Sequence, residues 1–276
     1  RILYKIRDQD TSRMKDLIKR AARFGIKVYA PIIYQFMGTL ESEAGLRKLV
    51  RDILKEFPEI EGYILLTEGF WYREWYGTRG NDSAEREWIR NWAGAVGIVL
   101  EECHRINPSI EILTWDYNIA NQKEKAEMKR YLIRQLPVET IPLLTWENGK
   151  SFKIDKYEGK LNDYSISQIV PSEVAHAQIE EARLRNMRVY CNADTFVCGG
   201  QFQTVPYQPF PYQWYERYKA LENYGINGTL ESWTSGFTPN FMSELRTWYC
   251  WSDAPDLEEL LGKIASRNFG KESKEM

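Results

Sequence analysis

The chain has 276 residues, with 37 Lys and Arg against 39 Asp and Glu, and a formal net charge of −2. This length fits one (β/α)8 barrel, a domain of about 250 residues. The near-zero net charge offers no field for nucleic acid or anionic lipid, and no apolar run reaches the roughly 18 residues of a membrane span. Two histidines leave little room for a His-based zinc site, so we predict neither a metal nor another cofactor.

In chain order, an amphipathic helix followed by a short apolar strand occurs six times. The six helices are predicted over residues 12–24, 43–57, 84–106, 123–136, 171–186 and 212–224. The strands that follow them are predicted over residues 26–33, 62–67, 110–115, 141–145, 187–191 and 228–231. Short apolar strands alternating with longer helices are typical of a parallel sheet covered on both faces.

The number of strands favours a barrel. Residues 1–6 form a seventh predicted strand, and residues 164–170 are a candidate for an eighth. We therefore predict an α/β fold of the (β/α)8, or TIM-barrel, type, with an open doubly wound sheet as the alternative. If residues 164–170 are not a strand, the first barrel strand is missing from this sequence. Residues 1–270 are predicted to form a single catalytic barrel domain, and residues 271–276 a frayed tail.

Acidic residues follow five of the predicted strands, at the end where barrel enzymes place their catalytic groups. These acids are Glu68, Asp116, Glu147, Asp194 and Glu231. One acid at a strand end is ordinarily a helix cap or the partner of a loop arginine. Five acids on one rim indicate chemistry instead.

Paired carboxylates are what cleavage of a glycosidic bond requires. One protonates the leaving oxygen, and the other acts as nucleophile or activates water. We predict Glu68 as the general acid and Glu231 or Glu147 as the nucleophile or base. Asp116, Asp194 and the neighbouring Asn192 are predicted to bind sugar hydroxyls or to adjust the pKa values of the catalytic pair.

The aromatic content points to the same substrate class. Phe, Trp and Tyr make up 14% of the chain, including 10 Trp and 17 Tyr. Sugar rings have apolar C–H faces that pack well on flat aromatic side chains. The aromatic residues predicted to bind substrate are Trp71, Tyr72, Trp115, Trp146, Tyr207 and Trp233, of which the tryptophans at positions 115, 146 and 233 form the floor of the cleft.

Several short motifs resemble barrel glycoside hydrolases. They are Thr67-Glu68 after a strand, the ending from Leu230 to Trp233, and the closing segment from Trp251 to Gly270. The chain is similar over most of its length to the β-hexosaminidases, the α-glucuronidases and their uncharacterised bacterial relatives. By this resemblance Glu68 is the proton donor. In the hexosaminidases an Asp that steers the acetamido group precedes the acid, and Thr67 at that position counts against substrate-assisted cleavage of N-acetyl sugars.

Two alternatives remain. One is a non-catalytic carbohydrate-binding barrel that uses the same aromatic residues. The other is a metal-dependent aldolase or isomerase with Glu147 and Asp194 as ligands, against which the two histidines count. The predicted partner is a carbohydrate, with no nucleic acid and no membrane. The sugar, the linkage, the stereochemical outcome, the oligomeric state and the cellular location are left open.

Overall fold

The computed structural model describes residues 8–32, 34, 36, 38–67, 82–116, 125–161, 168–192, 209–231 and 240–272. Its helices are α1 (Asp8–Ala22), α2 (Leu40–Glu56), α3 (Asp82–Ile106), α4 (Ala126–Gln135), α5 (Glu173–Leu184), α6 (Pro211–Asn223), α7 (Phe241–Tyr249) and α8 (Leu257–Phe269). Its strands are β1 (Tyr29–Ile32), β2 (Gly62–Leu66), β3 (Glu111–Trp115), β4 (Ile141–Thr145), β5 (Ser151–Ile154), β6 (Tyr157–Lys160), β7 (Tyr190–Asn192) and β8 (Gly228–Leu230).

Six of these strands form one parallel sheet in the order β1-β2-β3-β4-β7-β8. Each strand therefore pairs with the next strand of the same sheet along the chain, and helices connect them. In a doubly wound sheet the order would reverse at a switch point. An unbroken sequential order winds in one direction, as a barrel does. The sheet is a curved half-barrel, which confirms the predicted TIM-barrel class and excludes the doubly wound alternative.

All six predicted helix–strand pairs are present, with shifted ends. The largest shift is at α1, which begins at Asp8 instead of residue 12. Residues 168–170, the described end of the candidate eighth strand, are not in a strand, and the predicted strand over residues 1–6 lies outside the described residues. Within the described part of the chain, no helix is both long enough and apolar enough to cross a membrane.

The sequence reading missed a hairpin and two helices, although each has a local signal. Strands β5 and β6 pair antiparallel around a two-residue turn in which Asp155 takes a positive φ of 54°, a conformation that Asp tolerates. Helix α7 begins with a capping box, in which the Asn240 side chain accepts from the backbone N–H of Ser243 and the Ser243 hydroxyl accepts from that of Asn240. Helix α8 begins at Asp256, whose carboxylate accepts from the Glu259 N–H at 2.9 Å.

The six-stranded sheet has two faces that are buried in different ways. Alternate side chains of a strand point to opposite faces. One set packs with the helices in the main core and includes Ile32, Leu65, Ile112, Leu144 and Cys191. The other set forms a separate cluster of strand residues alone, made of Leu66, Trp115 and Leu143 with Ile64, Tyr190 and Leu230 against it. This second face, here called the inner face, is the barrel interior.

At its amino end the inner face is closed by two tyrosines that lie across glycines of the next strand. The Tyr29 hydroxyl donates to Glu111, whose other carboxylate oxygen is 2.7 Å from Arg188. A Cβ added at Gly62 would overlap the Tyr29 ring, and one added at Gly228 would overlap the ring of Tyr190. The glycines therefore leave the space in which these rings lie.

We expect Gly62→Ala to lower the free energy of unfolding by about 1–3 kcal/mol, because the new methyl group must displace a ring held by Glu111. Urea denaturation measures the change. Gly94→Ala on α3 is the matched control, since nothing lies within 4 Å of a Cβ there. Helix propensity predicts that the control gains up to about 1 kcal/mol. Equal effects at both positions would contradict this account of Gly62.

Helices α2 and α3 are joined by a cluster of arginines around one buried carboxylate. The Glu102 side chain is 3% exposed and accepts two hydrogen bonds of 2.7 Å from Arg51. Arg47 and Arg105 each donate one more, at 3.1 Å. Hydrogen bonding, above all from Arg51, lowers the pKa of Glu102 from an ordinary value of 4.5 to about 2.

This shift predicts how stability depends on pH. A lowered pKa in the folded state means that the Glu102 carboxylate stabilises the fold above pH 4.5, and that this stabilisation is lost as the pH falls toward 2. We expect Glu102→Gln to be less stable than the parent at pH 7, with the difference shrinking between pH 5 and pH 2. Urea denaturation across that range measures it. Glu158→Gln, in an exposed pair with Lys153, should change the free energy by less than about 0.5 kcal/mol throughout.

Candidate functional site

Polar side chains also lie at the carboxyl end of the inner face. Leu66 lies opposite Trp115 in the β2–β3 register, and Thr145 lies opposite Asn192 in the β4–β7 register. The Trp115 indole N–H donates to the Thr145 hydroxyl at 3.2 Å and links the two pairs. An indole, a hydroxyl and an amide thus occupy neighbouring positions at the end where barrel enzymes hold their substrates.

Two of the residues predicted to bind substrate, Trp115 and Asn192, are therefore brought to one place. Both are fully buried, and Thr145 is nearly so. Because its N–H is hydrogen-bonded, the Trp115 ring has a fixed orientation. Sequence reasoning missed Thr145, for which the available signal was a hydroxyl in an otherwise apolar strand. The substrate contacts of these side chains stay a prediction.

The structure does not bring Trp146 to this interior. The Leu-Thr-Trp endings of β3 and β4 suggested that Trp115 and Trp146 are equivalent, but the register places Trp115 opposite Leu143. Trp146 lies three residues beyond Leu143, and an odd offset along a strand places a side chain on the other face. The Trp146 indole lies in the helix-side core, edge-on to Tyr224 at 5.7 Å, and its N–H donates to the Ile169 carbonyl at 3.1 Å.

Asp116 also lies among the helices. It forms an ion pair with the fully buried Lys129 of α4, and it accepts a hydrogen bond of 2.9 Å from the side-chain amide of Gln178 on α5. The carboxylate thereby ties β3 to both helices. This position offers no contact with the inner face, where Trp115 of the same strand end points.

Glu147 is enclosed by α6. It forms an ion pair with Arg217, and both side chains are almost completely buried. The Arg217 guanidinium also donates to the Gln168 carbonyl at 3.0 Å and lies 5.3 Å from the Trp214 ring centre. These contacts hold the chain that follows β4 against α6.

Glu231 lies beside Thr229 on the helix side of β8. Its carboxylate accepts from the Arg246 Nε at 2.8 Å and from the Thr229 hydroxyl at 2.5 Å. Arg246, on α7, also donates to Thr229 at 3.1 Å. The Glu231 side chain is 17% exposed. Glu231 therefore differs from the other two acids in keeping some access to a cavity, of about 560 Å³.

Three of the five strand-end acids thus have the same arrangement, in which a basic residue of a later helix neutralises each carboxylate. Lys129 and Arg246 lie 13 and 15 residues after their acids, a spacing that places a strand end beside the following helix and that was readable in the sequence.

The other predicted site residues lie outside the described residues; they are Glu68, Asp194, Trp71, Tyr72, Tyr207 and Trp233. Among the described side chains, no three His, Cys, Asp or Glu residues are grouped to hold a metal ion.

Comparisons with known proteins show likeness in structure only. No family model and no curated protein sequence matches the chain. An L-ribulose 3-epimerase shares 12% identity at a TM-score of 0.43, over 95% of this chain and 80% of its own. The catalytic domain of a β-amylase from Paenibacillus polymyxa shares 10% identity at a TM-score of 0.49, and the match covers 90% of this chain and 87% of that domain. A β-D-glucuronidase from Dictyoglomus thermophilum shares 11% identity at a TM-score of 0.44, and the match covers 87% of this chain and 43% of the glucuronidase. The neighbours thus include glycoside hydrolases and a sugar epimerase, and at these scores they assign no activity to this chain.

Removing one partner of a buried ion pair tests the structural role of Asp116. We expect Lys129→Met to lower the free energy of unfolding by about 3–5 kcal/mol, because it leaves Asp116 buried without its cation. The double variant Asp116→Asn/Lys129→Met should lose less. Lys48→Met, in an exposed pair with Asp52, is the control and should change stability by less than about 1 kcal/mol. Chemical denaturation gives all three values, and equal losses at Lys129 and Lys48 would refute a buried pair.

Proposed function

We propose that this protein is a glycoside hydrolase that holds its sugar at the carboxyl end of the inner face. The observation that carries the proposal is the placement of Trp115, Thr145 and Asn192 at neighbouring positions of that end. A flat aromatic ring beside a hydroxyl and an amide combines an apolar surface with groups that fix orientation, which is the composition of a small-molecule site. Sugars need both, because their rings have apolar faces and hydroxyl edges.

The catalytic pair is assigned by elimination among the strand-end acids. Hydrolysis needs one carboxyl group that can give up a proton and a second that meets the sugar from the other side. Asp116 and Glu147 are enclosed with their cations, so neither meets these requirements. We assign the two roles to Glu68, as general acid, and to Asp194, as nucleophile or base.

The positions of the two acids in the sequence are consistent with this assignment. Leu66 belongs to the inner-face cluster, and Asn192 follows Tyr190 of the same cluster by two residues. Glu68 and Asp194 each come two residues later in the chain, just past the carboxyl ends of these strands, where barrel enzymes place their catalytic residues.

Glu231 is the alternative second carboxylate. Its side chain is 17% exposed and borders a cavity, whereas the Glu147 side chain is 2% exposed, so Glu231 meets solvent better than Glu147 does. However, its partner Thr229 lies on the helix side of β8, away from the inner face. Asp194 is therefore the better partner for Glu68.

A non-catalytic carbohydrate-binding barrel is the second candidate. The specific observation in its favour is that all three described strand-end acids carry a basic partner, as expected of acids kept for stability. It requires the same sugar site on the inner face but no working acid pair.

The test is a screen of aryl glycosides and oligosaccharides with the parent and with Glu68→Gln, Asp194→Asn and Glu231→Gln. We expect one substrate class to be hydrolysed, with kcat lowered about 10²–10⁴-fold in the first two variants and nearly unchanged in the third. Glu68→Gln should retain most activity on dinitrophenyl glycosides, whose leaving group needs no proton, and lose it on alkyl glycosides. Thermal unfolding of each variant checks that the fold is intact.

Each other outcome has a definite meaning. Loss of activity in Glu231→Gln but not in Asp194→Asn would transfer the second role to Glu231. Full activity of Glu68→Gln on alkyl glycosides would show that Glu68 is not the proton donor. Sugar binding by all four proteins that shifts the indole N–H signal of Trp115, without hydrolysis by the parent, would establish the binding barrel.

A further inference from the structure

A second concave surface lies outside the barrel interior, between α6, β8 and α7. Its main cavity has a volume of about 630 Å³, and its walls include Tyr215, Tyr218, Glu222, Tyr249, Trp251 and Ser252. We call it the Trp251 cavity. Thr229 also lines it, and because Thr229 lies opposite Cys191 of the helix-side core, the cavity is on the opposite side of the sheet from Trp115 and Asn192.

Trp251 is the central residue of this surface. It also lines the adjoining cavity of about 560 Å³ beside Glu231 and a third of about 310 Å³ beside α8. Its side chain is 65% exposed, and the indole of Trp248, 43% exposed, lies 6.0 Å away. Two exposed indoles side by side, at the border of three cavities, form an apolar surface of the kind that marks ligand sites.

The charges around the cavity indicate which kind of ligand fits. The Arg246 guanidinium already lies over Tyr218 at 4.7 Å and near Tyr249 at 6.0 Å, and Lys219 lies over Tyr215 at 4.5 Å. The faces of these tyrosine rings are therefore already in contact with cations, and a cationic ligand would have to compete with Arg246 and Lys219 for the same ring faces. Among the described side chains, no cation lies over the Trp251 ring.

The polar groups on the walls suit hydroxyls. The Glu222 carboxylate accepts from the Tyr249 hydroxyl at 3.0 Å and has no basic partner among the described residues, so it has further lone pairs to accept from a ligand. Ser252 contributes a hydroxyl. A carboxylate and a hydroxyl around an exposed indole form a site for a neutral, polyhydroxylated ring.

We propose that the Trp251 cavity binds a pyranose unit of an oligosaccharide, with the indole of Trp251 against the apolar face of the ring and Glu222 accepting from its hydroxyls. This second site is independent of the inner-face site, and it does not require that the protein hydrolyse its ligand. Its role is to hold a carbohydrate chain on the outer surface of the barrel.

The test uses the intact chain labelled with ¹⁵N, in which each tryptophan indole N–H gives its own signal. Trp251→Ala identifies the Trp251 signal by its loss. Cellotetraose, maltotetraose and xylotetraose are then titrated into the parent and into Glu68→Gln. We expect at least one tetrasaccharide to shift the Trp251 signal in a saturable manner in both proteins. A signal unmoved by all three sugars at millimolar concentration overturns the proposal.

Affinity measured by calorimetry tests the contribution of the ring. Trp251→Ala should weaken binding at this site about tenfold, whereas Trp251→Phe should retain part of it. Phe269→Ala removes an even more exposed aromatic side chain that lines neither this cavity nor its neighbours, and this variant should bind as the parent does. Equal affinity in the parent and in a folded Trp251→Ala overturns the proposal. Because no step needs hydrolysis, this result is separate from that of the glycosidase screen.

Discussion

Alternate side chains of each strand lie on opposite faces of a sheet that is buried on both, and this constraint determines what every residue at a strand end can do. Trp115 and Asp116 are neighbours in the chain. Yet the indole points into the barrel, to Thr145, while the carboxylate points to Lys129 among the helices. The same alternation separates Trp115 from Trp146, although both end a Leu-Thr-Trp sequence.

The acids that the alternation directs toward the helices would be costly to bury alone, and each has a basic partner on a later helix. Asp116, Glu147 and Glu231 thus connect β3, the chain after β4, and β8 to α4, α6 and α7. A buried pair of this kind adds little net stability over an apolar pair, but it is strongly unfavourable when broken, so it favours one arrangement of helix on strand. These three ion pairs therefore hold the carboxyl ends of the strands in place against the helices.

The two faces also separate two kinds of surface. The inner face presents Trp115 with Thr145 and Asn192, enclosed and fixed by a hydrogen bond, as suits orientation of a single ring. The outer surface presents Trp251, which is exposed and borders open cavities, as suits a chain that enters and leaves. The aromatic residues, 14% of the chain, are thus divided between those packed in the core and those of the two proposed sites.

The sequence by itself determined the order of helices and strands and the barrel class, because hydrophobic periodicity and breaks at Gly, Asn and Pro are local properties. Even the missed helices at Asn240 and Asp256 have caps that can be read locally. The amino-acid sequence also placed Trp115 and Asn192 at strand ends, but it could not show that they meet through Thr145. Only the tertiary structure decided which strand-end side chains face the interior and which acids are neutralised, since both depend on register, where one residue reverses the face, and on cations brought from helices elsewhere in the fold.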